Sequence, residues 1–197
     1  MPGLREPLIY IIQTLGGLYL LVMLLRFLLQ LVRADFYNPI SQFVVRATHP
    51  LIQPLRRALP SVGRLDLSSL LLAFVIQWLV MAVSVAIAGA NPLLFVVQLA
   101  LWSLLALASL TLKVFFFALI AGVILSWVAP GSYNPAAQLV EQLCEPLLAP
   151  VRQVLPNLGS LDFSPIFVFL AINLLDHYVI ARLALQTGMP HFLAPLM

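Results

Sequence analysis

Charge is what this sequence has least of. Asp, Glu, Lys and Arg together make up 9% of the 197 residues, against the roughly 25% common in soluble domains. Cysteine is nearly absent: Cys144 stands alone, which excludes an intrachain disulfide and a cysteine zinc cage. Phosphate-binding loops, nucleophile elbows, HExxH helices and paired catalytic carboxylates are missing, so no catalytic residue, cofactor or metal is assigned. The basic residues are too few and too scattered for a nucleic-acid surface.

Apolar residues fill the space left: 62% of the chain is hydrophobic and its mean hydropathy is +1.06. Such a composition predicts an all-α polytopic membrane protein. Spans are expected at about 8–33, 67–88, 104–128 and 163–182, each long enough at 1.5 Å per residue to cross about 30 Å of hydrocarbon. The first run is too long for a signal-peptide core, so it is expected to stay. Residues 91–103 form a connector or lead-in helix, interfacial, re-entrant or kinked, because the apolar stretch from Leu93 to Ala129 exceeds one span. A division into two spans there would need a turn, and Ser109 to Lys113 offers neither Gly nor Pro.

The chain is also an internal duplication. Tyr37 to Ser69 reappears, ungapped and shifted by 96 positions, as Tyr133 to Pro165, with 15 of 33 aligned pairs identical. The first repeat occupies 1–90 and the second 104–197. Between the spans of each repeat lies an amphipathic, proline-kinked interfacial segment, 38–65 and 134–161. In the first, Ile40, Phe43, Val44, Ala47 and Leu51 share one side, with Gln42, Arg46 and His49 opposite. Pro50 and Pro54 are expected to break this helix before the turn at Pro60 to Gly63.

Two spans per repeat place both segments on one side of the membrane. Arg33, Arg46, Arg56, Arg57 and Arg64 put that side in the cytoplasm, while the turn at 89–92 has no basic residue. Five spans would reverse the second repeat, and its single basic residue there, Arg152, does not forbid this.

Polar residues fall into two groups. At the segments, Arg56 with Asp66 and Arg152 with Asp162 recur ten residues apart. They act either as ion-pair clamps or independently, the arginine on lipid phosphate and the aspartate as a helix cap. Arg46, Arg56 and Arg57 would attract anionic headgroups. Within the bilayer, Gln77 and Asn173 are equivalent under the shift and could face each other as helix glue or as the lining of a conduit. Lys113 is the expected partner of Asp176, with His177 beside it, whereas Arg26 lies close enough to the interface to snorkel.

The duplicated frame, Tyr-Asn-Pro, Pro-Leu-x-x-Pro-x-Arg, Leu-Pro, Gly, Leu-Asp and Ser-Pro, resembles that of the YggT (YlmG) family of bacterial and plastid integral membrane proteins. Ser69 departs from it where Pro165 conforms. The resemblance implies a non-enzymatic protein of the bacterial cytoplasmic membrane; roles proposed for relatives include osmotic or envelope stress tolerance, cell division or nucleoid organisation, and cytochrome assembly. The expectation is a membrane organiser or assembly factor that engages lipid and either a membrane-protein partner or a second copy. A small channel for ions or osmolytes is the alternative.

Overall fold

In the computed structural model, which describes residues 2–58, 65–128, 134–155 and 162–196, nearly everything is helical. The turn expected at Pro60 to Gly63 and its equivalent lie outside the described residues. Four helices are long and apolar enough to cross a membrane: α1 (Arg5–Leu31), α3 (Leu67–Ala88), α4 (Val96–Val128, led in by a tight turn at Pro92–Phe95) and the last, α6 (Ser164–Gln186). Between the members of each pair lie α2 (Pro39–Ala58) and α5 (Pro135–Val154).

Local chemistry sets the ends. Asn38 and Asn134 open α2 and α5, their side-chain oxygens accepting from the amides of Ile40 and Ala136, each 2.9 Å away. Asp66 caps α3 by accepting from the Ser69 amide. Gly89 closes α3 with φ 96°, a conformation that a side chain would strain.

α2 and α5 are not broken at their prolines. Each helix runs through both, Pro50 and Pro54 in one and Pro146 and Pro150 in the other. The four-residue spacing puts both members of a pair on one side, and all four are exposed. The lost backbone bonds therefore lie on the outer side, while Val44, Thr48 and Ile52 face the bundle and remain buried.

From the tight turn at Pro92–Phe95, α4 continues unbroken through the rest of the lead-in. Its length of about 50 Å exceeds the hydrocarbon, and one face of its early turns is covered by protein while Val96 and Val97 stay exposed. Leu99, Trp102 and Ala106 pack with Met81 and Val85 of α3 and with Met189 and Leu193 of the tail. The tail is pinned by the Gln13 side chain, whose Nε2 donates to the Phe192 carbonyl at 2.8 Å.

Two clusters show the duplication in three dimensions. Met23 and Ile52 sit in the core of the first repeat, and their equivalents Leu119 and Leu148 in that of the second. Contacts between α2 and α5 join the repeats, with Leu29, Ala34, Val44 and Leu139 packed together. Asn38 Nδ2 donates to the Pro135 carbonyl at 2.6 Å, and the Asp35 amide to Gln142 Oε1 at 3.1 Å. Both connecting helices thus lie at the same end of the bundle.

Candidate functional site

The residues with most chemistry gather where α1 ends, α2 runs past it and α3 begins. Asp66 is completely buried. Its Oδ2 accepts from Arg56 Nη2 at 2.7 Å and from Ser69 Oγ at 2.7 Å, and its Oδ1 from the Ser69 amide. Burial alone would raise the carboxyl pKa, but the Ser69 and Arg56 hydrogen bonds and the arginine charge outweigh it and hold the group below the usual aspartate range.

Arg26 does not snorkel. It is 4% exposed, with Nε 3.8 Å from Asp66 Oδ2 and Nη1 donating to Thr48 Oγ1 at 2.7 Å and to the Val45 carbonyl at 3.1 Å. A nearby buried anion, supplied by the start of α3, makes burial tolerable where water would otherwise be preferred. Arg56 reaches a second partner, Gln30 Oε1, at 3.3 Å. Ion pair and cap are therefore one arrangement at Asp66 rather than alternatives.

The second repeat builds the same clamp at the surface. Arg152 Nε donates to Asp162 Oδ2 and Arg152 Nη1 to Glu145 Oε2, both at 2.8 Å, and all three side chains are at least two-fifths exposed. The Asp162 carboxyl lies below its ordinary range because hydrogen bonds from Ser164 and Arg152 outweigh desolvation. The Arg152 guanidinium is raised, its carboxylate partners outweighing desolvation. Cys144, which occupies the position of Thr48, is buried, and burial first and Glu145 second push its thiol up to about 11.

Other expected residues are dispersed. Gln77 is buried with its Nε2 lacking a hydrogen-bond partner, whereas Asn173 is exposed and donates to the Phe169 carbonyl of its own helix at 2.8 Å. The expected contact between them is not formed. Close packing of α1 on α3 explains this: Gly16 lies so near Val80 that an added Cβ would come within 2.5 Å of Cγ2. The equivalents of those two residues are Leu112 and Asp176, so the second repeat cannot reproduce that approach.

Asp176 Oδ1 accepts from Ser109 Oγ at 2.6 Å, a partner other than the expected Lys113. Lys113 lines a cavity of about 270 Å³ with Gln13, Gln77 and Leu196. His177 is exposed on a π-helical stretch of α6, Leu175–Ile180. Arg46 is exposed, with Nη2 3.4 Å from Gln42 Oε1, and the side chain of Arg57 lies outside the described residues. Among the described residues no group of three metal-ligating side chains occurs.

A cavity of about 510 Å³ adjoins the buried cluster, lined by Arg26, Gln30, Arg33, Ser41 and Arg56 on its polar side. Sequence reasoning placed Arg26 at the interface instead of here, and passed over Gln30 and Ser41. The available signal was the shift itself, which sets Gly122 opposite Arg26 while retaining Asp162 opposite Asp66.

Fold and site together define a polytopic helical membrane protein of two tandem repeats, its buried charges collected at one end. The chain belongs to the CCB3/YggT family, whose model matches it twice, over residues 6–87 and 101–183. It is 62% identical over 194 residues to an uncharacterised protein of Pseudomonas aeruginosa, covering 98% of each chain. It is 42% identical over 164 residues to an uncharacterised protein of Vibrio alginolyticus, covering 83% of this chain and 88% of that one. It is 37% identical over 171 residues to the uncharacterised protein YggT of Escherichia coli, covering 87% of this chain and 88% of that one. No solved structure matches the chain.

Proposed function

We propose that this is a non-enzymatic, four-span protein of the bacterial cytoplasmic membrane. In this reading it is an organiser, assembly or stress-tolerance factor whose α2 and α5 rest on the inner leaflet and engage lipid and a protein partner. The observation that carries the reading is the three-sided character of α2. Ser41, Val44, Thr48 and Ile52 face the bundle; Gln42, Arg46 and His49 form a polar side; Ile40, Phe43 and Leu51 are apolar yet uncovered. A helix so divided suits the headgroup boundary, apolar side down, with arginines attracting anionic lipid at about 1 kcal/mol each.

Photo-crosslinkers placed at Arg46 and Glu141 are expected to recover one common membrane-protein partner in addition to lipid. Lipid adducts alone would overturn the partner half of the reading. A reporter near Ser160 is expected in the cytoplasm and one fused after Met197 outside it; the reverse placement, or the same side for both, would reject four spans. Liposomes containing the protein are expected to show no ion or osmolyte flux; a flux abolished by Asp176→Ala would favour a channel instead.

A further inference from the structure

We propose that the cavity between α1 and α2 of the first repeat binds a phosphoryl group, held by Arg26, Arg33 and Arg56 and by the Ser41 hydroxyl. Three arginines line it, and Asp66, which two of them approach, supplies one negative charge in return. Local charge is thus net positive and offset only in part. Arginine forks match phosphate oxygens in geometry as well as charge.

Buried donors and acceptors rarely go without partners, yet two such atoms belong to residues lining this cavity. Ser41 Oγ, on a residue 2% exposed, and Arg26 Nε, on one 4% exposed, make no hydrogen bond. Arg33, which is exposed, has no side-chain partner among the described residues and is left to face the cavity.

The backbone gives an independent reason. Arg33 has φ 57°, and the Arg33 and Ala34 amides donate to Gln30 and Leu29 carbonyls in the pattern that closes a helix on a left-handed residue. Glycine is the usual choice there, since any side chain costs about 1 kcal/mol or more. A strained arginine facing a cavity is the kind of feature that ligand sites retain. The equivalent residue in the second repeat is alanine.

Cavity size and lining favour a phospholipid as the source. The volume lies within the range of ligand pockets, and Leu29, Ala34, Val44 and Val45 add an apolar wall beside the charges. Phe36 lines the cavity while 56% exposed, as aromatic residues at a headgroup boundary do. Arg26 lies seven residues before Arg33, so the site extends about 10 Å along the α1 axis.

This inference deepens the lipid half of the function proposed above and rests on it only for the side of the membrane the cavity faces. Binding measured in detergent does not depend on orientation or on a protein partner, so the two readings fail separately. The full chain, purified in a non-ionic detergent, is titrated calorimetrically with dihexanoylphosphatidylglycerol, inorganic phosphate and, as the phosphate-free control, dihexanoylglycerol. Phosphatidylglycerol is expected to bind and dihexanoylglycerol not to. Loss of a charge-assisted contact in Arg33→Ala should weaken binding about tenfold, and Ser41→Ala should weaken it a few-fold. Arg182→Ala, which removes an equal charge from an exposed position outside the cavity, should leave affinity within about twofold.

Inorganic phosphate binding with the same variant pattern would identify free phosphate as a second source of the ligand; its failure to bind would restrict the site to lipid. Arg33→Gly separates binding from folding, since it should raise the unfolding temperature while lowering affinity. No binding by either phosphate compound, equal losses in Arg33→Ala and Arg182→Ala, or unchanged affinity in Arg33→Gly would overturn the proposal.

Discussion

The two elbows of this protein, where α2 leads to α3 and α5 to α6, carry the same arginine and aspartate ten residues apart, and bury them to opposite degrees. Asp66 is inaccessible and held by Arg56, Ser69 and the nearby Arg26; Asp162 is 42% exposed and held by Arg152, which it shares with Glu145. What differs is the neighbourhood. Arg26 in the first repeat corresponds to Gly122 in the second, Thr48 to Cys144, and Ser69 to Pro165. One repeat has collected a set of polar partners around its carboxylate, and the other has replaced that set with apolar or small residues and left its clamp in solvent. An identical pair of side chains is therefore a buried keystone in one place and a surface ion pair in the other, and its energy follows burial rather than identity.

Asp66→Asn should have the largest effect, since it leaves Arg26 and Arg56 close together without their anion; about 3–5 kcal/mol of stability should be lost. Asp162→Asn should cost only about 0.2–1 kcal/mol. Unfolding of the purified variants measures both, and equal losses would erase the distinction between the elbows. Thr48→Val comes next. It removes the acceptor of an Arg26 hydrogen bond inside the protein and should cost about 1–3 kcal/mol, more than Cys144→Val, which only alters packing at the equivalent position.

Acid should separate the elbows further. A carboxyl whose folded pKa is depressed contributes stability that is fully present above its unfolded value, about 3.9, and is lost as pH falls through the lower folded value. Unfolding should thus be nearly flat in this contribution between pH 5 and 8. It should weaken below about pH 4, and Asp66→Asn should flatten that acid limb more than Asp162→Asn does. The smallest effect is that of salt. At about 1 M ionic strength screening acts over roughly 3 Å, so the difference between the native chain and Asp162→Asn should shrink towards zero, while that for Asp66→Asn persists.

Much of this was legible beforehand. A 96-residue shift that aligns prolines, glycines and charges yields two like repeats, and the hydropathy yields four long helices. Recurrence of Arg and Asp at ten residues singled out the clamps. Depth and burial were less accessible. Arg26 lies near a helix end, where a single chain cannot distinguish a side chain reaching water from one reaching an anion forty residues later. Gln77 and Asn173 share a register but not an environment, because Gly16 admits Val80 and Leu112 cannot admit Asp176 in the same way. Pro50 and Pro54 each break a helix when taken singly, whereas their common outward side confines the missing bonds to one side of α2.

The latch between Asn38 and Pro135 has a consequence for how the halves depend on each other. Each half begins its connecting helix in surface packed on the other half, with Val44 against Leu139, and Leu28 of α1 packs against Leu143 and Val114. A polypeptide cut at the Asn91–Pro92 turn would present that surface uncovered, and its simplest remedy would be to pair side by side with a second molecule of itself. Tethering the halves in one chain makes the encounter intramolecular, which raises the effective concentration of each for the other to roughly millimolar. It also leaves each free to change independently, which two identical subunits could not do.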